Sequence, residues 1–343
     1  MIYDYVLVGS GFSAYCVAAL LKKRHKVCAI SPATYQFVSK EHHRNVSLEF
    51  NRPFNSQYKS YMKSVWKIGA NRLVDRLSLS GNSGLWGGTV NLEKDCSLFS
   101  QLEEVKIINM NQEMPGLHSN RNLGILTDKD RQLFNTAKFF IGFDKYVDGY
   151  VEKISETPLG ILALEVSIGG MLAMIHAKKV VICTSLPQLV QLMISSQLVP
   201  MEFKFSLHEH TMTFKLHEKH EELDSCRVSY KPMVAFSRIF GLRAMRFPGF
   251  SLGPYLIDQT FTNKTEKMEY FVKDQIVTTA DPISTFGKSI HYYGLSINDV
   301  PINTYLASVS RNILNVGHSS IFPNEPGPLT NYLLESASEV TRS

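Results

Sequence analysis

Residues 5 to 14 of this chain read Tyr-Val-Leu-Val-Gly-Ser-Gly-Phe-Ser-Ala, and no other stretch restricts the fold so tightly. Tyr5 to Val8 form an apolar, β-branched run of the kind that makes a strand buried on both faces. Gly9 allows the tight turn that follows, and Gly11 lets the backbone approach a pyrophosphate. Ala14, in place of a third glycine, still permits close packing of a helix on the strand. Ala14, Val17, Ala18 and Leu21 then recur at helical spacing, so the spacing predicts a helix that starts at once. The amides of Phe12, Ser13 and Ala14 and the positive end of the helix dipole would face phosphates held at the turn. Lys22-Lys23-Arg24-His25-Lys26 closes the helix at the negative end of its dipole, and Val27 to Ile30 reads as a second strand. A glycine pattern of this kind is weak evidence alone. Between a strand and a helix it marks a dinucleotide-binding β-α-β unit, with an ordinary strand–turn–helix packing unit as the bland alternative.

One element departs from the pattern. Such units carry an acidic residue after the second strand to hold the ribose hydroxyls, and here Ser31 and Pro32 occupy that place. A serine offers a hydrogen bond without the charge assistance of a carboxylate, so Ser31 predicts a more weakly held adenosine end. Glu41 lies too far along the chain to substitute.

At 343 residues the chain can bury one large core or two modest ones. A net charge of +5 is mild and unclustered, which does not argue for nucleic acid. The five cysteines, Cys16, Cys28, Cys96, Cys183 and Cys226, are scattered, odd in number and set mostly in apolar runs, as expected of reduced thiols in a cytoplasmic protein. The first strand begins almost at once, so no signal peptide is expected. Glu165 and Lys178-Lys179 interrupt the longest apolar stretches, so no membrane span is expected.

Further along, residues 33 to 78 are polar and aromatic and are expected to wrap over the ligand. Ser80-Gly81-Asn82-Ser83-Gly84-Leu85-Trp86-Gly87-Gly88 is too rich in glycine for a helix or strand interior and suits a loop pressed against a ligand, or else a tight surface turn. Residues 100 to 145 carry no clear signal. Residues 160 to 177 alternate about Gly169-Gly170 and predict a β-hairpin. Val180 to Cys183 reads as another buried strand, and Leu186 to Met193 as a helix with Pro187 in its first turn. From 201 to about 299 alternating polar and apolar residues predict an antiparallel sheet. In the tail, Leu329, Tyr332, Leu333 and Val340 mark one face of a final helix.

These landmarks resemble the glucose–methanol–choline family of flavin oxidoreductases. The match is carried by Gly9-x-Gly11-x-x-Ala14, by Ser80 to Gly88, by Ala177 to Ile182 followed by Leu186 to Met193, and by Asn315 to Pro323 with Gly327-Pro328-Leu329-Thr330. Leu207-His208-Glu209-His210 is a weaker match to the family's step into its substrate sheet. The resemblance implies an α/β fold: a Rossmann-like FAD-binding domain with an inserted antiparallel-sheet substrate domain. The expected division is 1–100, 146–200 and 300–343 for the FAD-binding domain, and 101–145 with 201–299 for the substrate or cap domain. It implies FAD lying along Gly9, Gly11, Phe12, Ser13, Ala14 and Ser31, with Gly81, Ser83, Trp86, Gly87 and Gly88 beside it, and Gly317, His318 and Pro328 closing over it.

The resemblance also implies a histidine that takes the substrate hydroxyl proton. His291, in Ser289-Ile290-His291-Tyr292-Tyr293-Gly294, occupies its place, and an imidazole titrates near neutral pH as that step requires. Two departures stand out. Gly327 aligns with the family's second active-site residue, for which Asn331, one helical turn on, is the stand-in. His318 stands where the family has an acid.

The histidine tract His208, His210, His217 and His220 could offer metal ligands, but an exposed strand and turn explains it as well, and no metal is expected. No G-x-S-x-G elbow supports serine hydrolysis. The expected activity is therefore an FAD-dependent dehydrogenase or oxidase acting on the CH–OH group of a small alcohol or sugar-like substrate. A flavin-dependent nucleotide-sugar mutase and a non-catalytic binding protein on a degenerate flavoenzyme fold are the alternatives. The sequence implies no oligomeric state.

Overall fold

The computed structural model describes residues 1–32, 65–68, 71–74, 79, 81, 89–109, 117–119, 123–129, 134, 136–200, 202–216, 255–271, 288–322 and 330–342. The opening unit forms as its residues require: β1 (Ile2–Val8), α1 (Phe12–Leu21) and β2 (Val27–Ser31). β1 and β2 run parallel, with Val6 opposite Cys28 and Val8 opposite Ile30. Successive side chains of β1 enter opposite cores: Tyr5 and Leu7 on one face, Val6 and Val8 on the other. That double burial is why the run is continuously apolar rather than alternating.

Then follow β3 (Val65–Ile68) and β4 (Asn71–Val74), which pair as a hairpin, β5 (Thr89–Asn91), β6 (Lys106–Asn109), β7 (Leu117–Ser119), β8 (Leu123–Thr127) and α2 (Thr136–Ile141). Next are β9 (Tyr146–Asp148), β10 (Tyr150–Glu156), β11 (Leu162–Ile168), β12 (Met171–Ile182) and α3 (Leu186–Ser195). The chain continues through β13 (Glu202–Leu216), β14 (Tyr255–Phe271), β15 (Lys288–Ile297), β16 (Val300–Pro301) and α4 (Ile302–Val309), and ends with β17 (Ile313–Asn315) and α5 (Thr330–Arg342).

The central sheet has seven strands, in the order β10-β11-β12-β1-β2-β9, with β17 paired to β12. Its heart is parallel: β9, β2, β1, the second half of β12, and β17. β10, β11 and the first half of β12 form an antiparallel meander. The turn at Gly169 and Gly170 has φ +57° and +86°, the left-handed region that glycine reaches without strain. The sequence predicts a hairpin arm to residue 177 and a separate strand from 180. The structure joins them into one strand, because Lys178 does not interrupt it: its ammonium turns outward to the Asp4 carboxylate at 2.8 Å.

α1 also differs from expectation. The repeat predicts one buried face, whereas every residue of the helix except Leu20 is buried. A helix that is apolar all round must be covered all round. β1 flanks α1, while Leu333, Leu334, Ala337 and Val340 of α5 and Ala137 and Phe140 of α2 share its core.

A five-stranded sheet, β16-β15-β13-β14-β7, realises the antiparallel region predicted from residue 201 onward. β13 pairs antiparallel with both β14 and β15. Residues 101–145, expected in the substrate or cap domain, divide between this sheet and the core around α1. Among the described residues of 101–145, only those of β7 join this sheet. Leu102, Leu126, Ala137 and Phe140 instead lie in the core around α1, and β6 and β8 form a small sheet with β5.

Candidate functional site

Pairing brings four distant positions level with one another. Ile30 of β2 pairs with Val8 of β1, Val8 with Ile182 of β12, and Ile182 with Asn315 of β17. The next residues continue the ladder: Gly9 N–H donates to Ile30 O, Cys183 N–H to Val8 O, and Val316 N–H to Ile182 O, at 2.8, 2.8 and 2.9 Å. Ser31, Gly9, Cys183 and Val316 are therefore the next residues along this row at the carboxyl ends of parallel strands, with Thr184 and Gly317 one residue further on. Ligands of open parallel α/β sheets bind outside those ends.

Gly9 is required twice over. Its φ is +120°, and a Cβ built on it would meet the Cys183 carbonyl oxygen at 2.7 Å. The backbones of the two strand exits are thus in contact, with no room for a side chain between them. Gly11 caps α1 with extended backbone, and no side chain caps the helix. The first intrahelical bond there runs from Tyr15 N–H to Gly11 O, and the amides before it belong to the helix N-terminus. With no acidic residue in the first turn either, the positive end of the dipole is left for an anion. The tight exit and this helix end together fit a diphosphate.

Ser31 sits differently from the expected ribose-facing position. It is 5 % exposed, and its hydroxyl accepts a hydrogen bond from the Ser10 hydroxyl at 2.8 Å. Tyr146 donates to the Ser31 carbonyl, and Thr136 donates to the Ser10 carbonyl at 3.0 Å. The residue that replaces an acid is therefore held in a buried hydroxyl cluster that fastens the turn to β9 and α2.

The tail is fastened to itself. Asn315 Nδ2 donates to Ser319 Oγ at 2.9 Å, and Gly317 N–H donates to Ser320 Oγ at 3.1 Å. Gly317 has extended backbone, and a Cβ on it would meet only ordinary contacts, with Thr184 O at 3.5 Å. His318 is exposed beside it. Gly81 lies at φ +49°, while Ser83, Trp86, Gly87, Gly88 and Pro328 lie outside the described residues.

Asn331 is 1 % exposed, and both ends of its carboxamide are taken. Its Oδ1 accepts from Asn91 N–H at 3.0 Å, and its Nδ2 donates to Asn91 O at 3.1 Å and to Cys96 Sγ at 3.7 Å. This is a clamp between α5 and β5 in the place expected for a substrate contact. Asn331→Ala would take the acceptor from the buried Asn91 N–H, while the Asn91 carbonyl keeps Lys94 N–H and Cys96 Sγ, at a cost of about 1–3 kcal/mol. The check is a lower midpoint in chemical denaturation with an unchanged slope.

His291 lies on β15, directly opposite His210 on β13. Two residues on, Tyr293 is 2 % exposed in one core with Val316, Ile321 and Leu333, so the strand bearing His291 packs against the tail that follows β17. Gly294 has φ +62° at an irregularity where the register between β15 and β13 shifts. Such bulges re-aim the residues beside them. His217 and His220 lie outside the described residues, and among the described residues no three histidine, cysteine or acidic side chains cluster as metal ligands.

Cys16, Cys28, Cys96 and Cys183 are free thiols, and Cys226 lies outside the described residues. Burial pushes Cys16 and Cys183 well above the ordinary thiol range, and pushes Cys28 up to about 11. The folded state thus disfavours the thiolate. The stability that Cys28 contributes is complete below pH 9.0 and is lost as pH rises toward about 11. Correspondingly, a thiol reagent at pH 8 should leave Cys16, Cys28 and Cys183 unmodified in native protein and label them after unfolding, as read by peptide mass.

Sequence reasoning did not find Ser10, Asn91, Thr136, Tyr146 or Thr184. Ser10 lies inside the glycine turn, whereas Asn91, Thr136 and Tyr146 are polar residues with no motif around them. Thr184 had a signal, since it follows the recognised strand at 180–183.

No family model matches the sequence, and no curated protein matches it. Among solved structures, a pyridoxine 4-oxidase from Mesorbium loti superimposes with a TM-score of 0.61 at 11 % identity, over 99 % of this chain and 98 % of that one. A geranylgeranyl bacteriochlorophyll reductase-like protein from Thermoplasma acidophilum gives 0.39 at 12 % identity, over 99 % and 78 %. The anhydrotetracycline hydroxylase OxyS from Streptomyces rimosus gives 0.34 at 10 % identity, over 99 % and 61 %. Only the first likeness is close enough to bear on architecture, and it shows the α/β fold alone.

Proposed function

We propose that this chain is an FAD-dependent oxidoreductase that removes hydride from the CH–OH group of a small alcohol, sugar-like or otherwise. One observation carries the reading: the carboxyl ends of β1, β12 and β17 emerge level with one another beside a helix N-terminus that no side chain caps. The pyridoxine 4-oxidase that shares the fold over nearly its whole length is, by its name, an oxidase of the small molecule pyridoxine.

In this reading the amides of Phe12, Ser13 and Ala14 hold the diphosphate, and Gly9 keeps side chains away from it. Ser31 keeps the turn in place through Ser10 and carries less of the ribose binding than an acid would. Gly81, Ser83, Trp86, Gly87 and Gly88 lie along the cofactor, and Gly317, His318 and Pro328 border its redox end. When bound, FAD supplies the acceptor for the hydride. His291 supplies the base: an imidazole nitrogen takes the hydroxyl proton as the carbinol carbon gives up hydride and becomes a carbonyl. Asn331 contributes by fixing α5, and with it the approach to the tail, rather than by touching substrate.

The buried Ser10–Ser31 pair and the engaged Asn331 favour, as a second reading, a non-catalytic binding protein on a degenerate flavoenzyme fold. The visible absorption spectrum of the purified protein decides between them. Flavin bands that bleach anaerobically with an alcohol or sugar support the oxidoreductase. Protein that shows no flavin bands and retains none after reconstitution with FAD supports the second reading. Turnover of a nucleotide sugar without net redox change would point to a mutase.

A further inference from the structure

We propose that Thr184 is a cofactor ligand whose hydroxyl donates to the diphosphate of the bound dinucleotide. The proposal rests on the reading of the site as a flavin site and adds to it a side chain that neither glycine motif includes.

Among the described residues, Thr184 Oγ1 is the one buried side-chain oxygen or nitrogen without a hydrogen-bond partner. Buried hydroxyls in folded proteins are almost always paired, so an orphan asks for an explanation, and an absent ligand is one. Its position supplies the ligand's chemistry. Thr184 lies two residues past the end of β12, between the exits of β1 and β17. Its backbone N lies 3.5 Å from where a Gly9 Cβ would stand, and its carbonyl oxygen 3.5 Å from where a Gly317 Cβ would stand. It therefore sits at the seam between the two glycine segments that come from opposite ends of the chain.

Two helix N-termini meet this seam. α1 begins after Gly11, and α3 begins after Ser185, directly following Thr184. Neither has a side-chain cap hydrogen bond or an acidic residue in its first turn. Positive helix ends and a donor hydroxyl suit an anionic oxygen. Of the parts of FAD, that is the diphosphate, and Gly9, the neighbour of Thr184, belongs to the turn whose chemistry is diphosphate binding.

The test compares wild type with Thr184→Val, which keeps the shape and removes the hydroxyl, and with Thr184→Ser, which keeps the hydroxyl. Affinity for FAD is read by flavin fluorescence on titration into flavin-free protein, affinity for ADP by competition, and the melting temperature on the flavin-free protein. Loss of a hydrogen bond to a charged group should weaken FAD and ADP alike by roughly tenfold or more in Thr184→Val. Thr184→Ser should stay within roughly threefold of wild type, since it keeps the bond. Flavin-free Thr184→Val should melt at or slightly above wild type, because an unpaired buried hydroxyl has become a methyl.

This pairing of weaker binding with unchanged or higher stability is not what a packing role produces. Wild-type affinity for FAD in Thr184→Val would overturn the proposal. So would weakened FAD with unchanged ADP, or a melting temperature that falls along with affinity. If wild type itself binds no FAD, the flavin reading falls and this ligand falls with it, whereas wild type that binds beside an unaffected Thr184→Val rejects the ligand alone.

Discussion

Replacing Gly9 with alanine is expected to cost on the order of 3 kcal/mol of stability and to abolish FAD binding. Two independent effects add. A residue with a Cβ pays about 1–3 kcal/mol to hold an unfavourable positive φ, and Gly9 lies at +120°. The new methyl would also stand 2.7 Å from the Cys183 carbonyl oxygen. That oxygen belongs to backbone at the end of a core strand, so relief requires the exits of β1 and β12 to part. The parting would open the row formed by Ile30, Val8, Ile182 and Asn315, on which the proposed cofactor site rests. Denaturation midpoint and flavin retention should fall together. A Gly9→Ala protein as stable as wild type would show that the strand exits separate freely. Gly317→Ala is the matched control: its backbone is extended and its Cβ would meet only ordinary contacts, so little stability should be lost.

The second large effect is kinetic. His291→Ala is expected to slow anaerobic flavin reduction by an alcohol substrate by roughly 10²–10⁴-fold, the usual worth of a positioned general base. Flavin affinity and the denaturation midpoint should stay near wild type. Loss of rate without loss of flavin separates a chemical role from a structural one. Reduction at the wild-type rate would remove His291 from the mechanism, and His210, its cross-strand neighbour on β13, would be the next position to test.

Where the chain carries long, regular signals, the fold could be read before the structure. The apolar run at Tyr5 to Val8, the glycines of its turn, the Gly169-Gly170 hairpin, the helix with Pro187 in its first turn and the long antiparallel strands of β13 to β15 all form. Each is governed by residues adjacent in sequence, whose conformational preferences and periodicities act locally. Between residues 100 and 145 the strands β6, β7 and β8 span only three to five residues each, too few to establish a period. Their placement comes from side chains such as Leu126, buried against a distant helix. The covering of α1 was hidden for a similar reason. The sequence shows an apolar helix, but the elements that bury its second face, α2 and α5, follow it by more than a hundred residues.

The same line divides the site. The sequence by itself determined the tight turn at Gly9 and the helix that follows it at once, because these follow from the backbone freedom of glycine and from helix periodicity. Only the tertiary structure decided that Ser31 turns inward to Ser10, that Asn331 is spent on Asn91, that the Thr184 hydroxyl stands unpaired between the two glycine segments, and that His291 and His210 share a register position on paired strands. Those relations depend on which backbones become neighbours, and strand pairing joins residues as far apart as Val8, Ile182 and Asn315 through hydrogen bonds that any residue's main chain can make. Because such bonds are blind to side-chain identity, the residues they bring together leave little trace in the sequence.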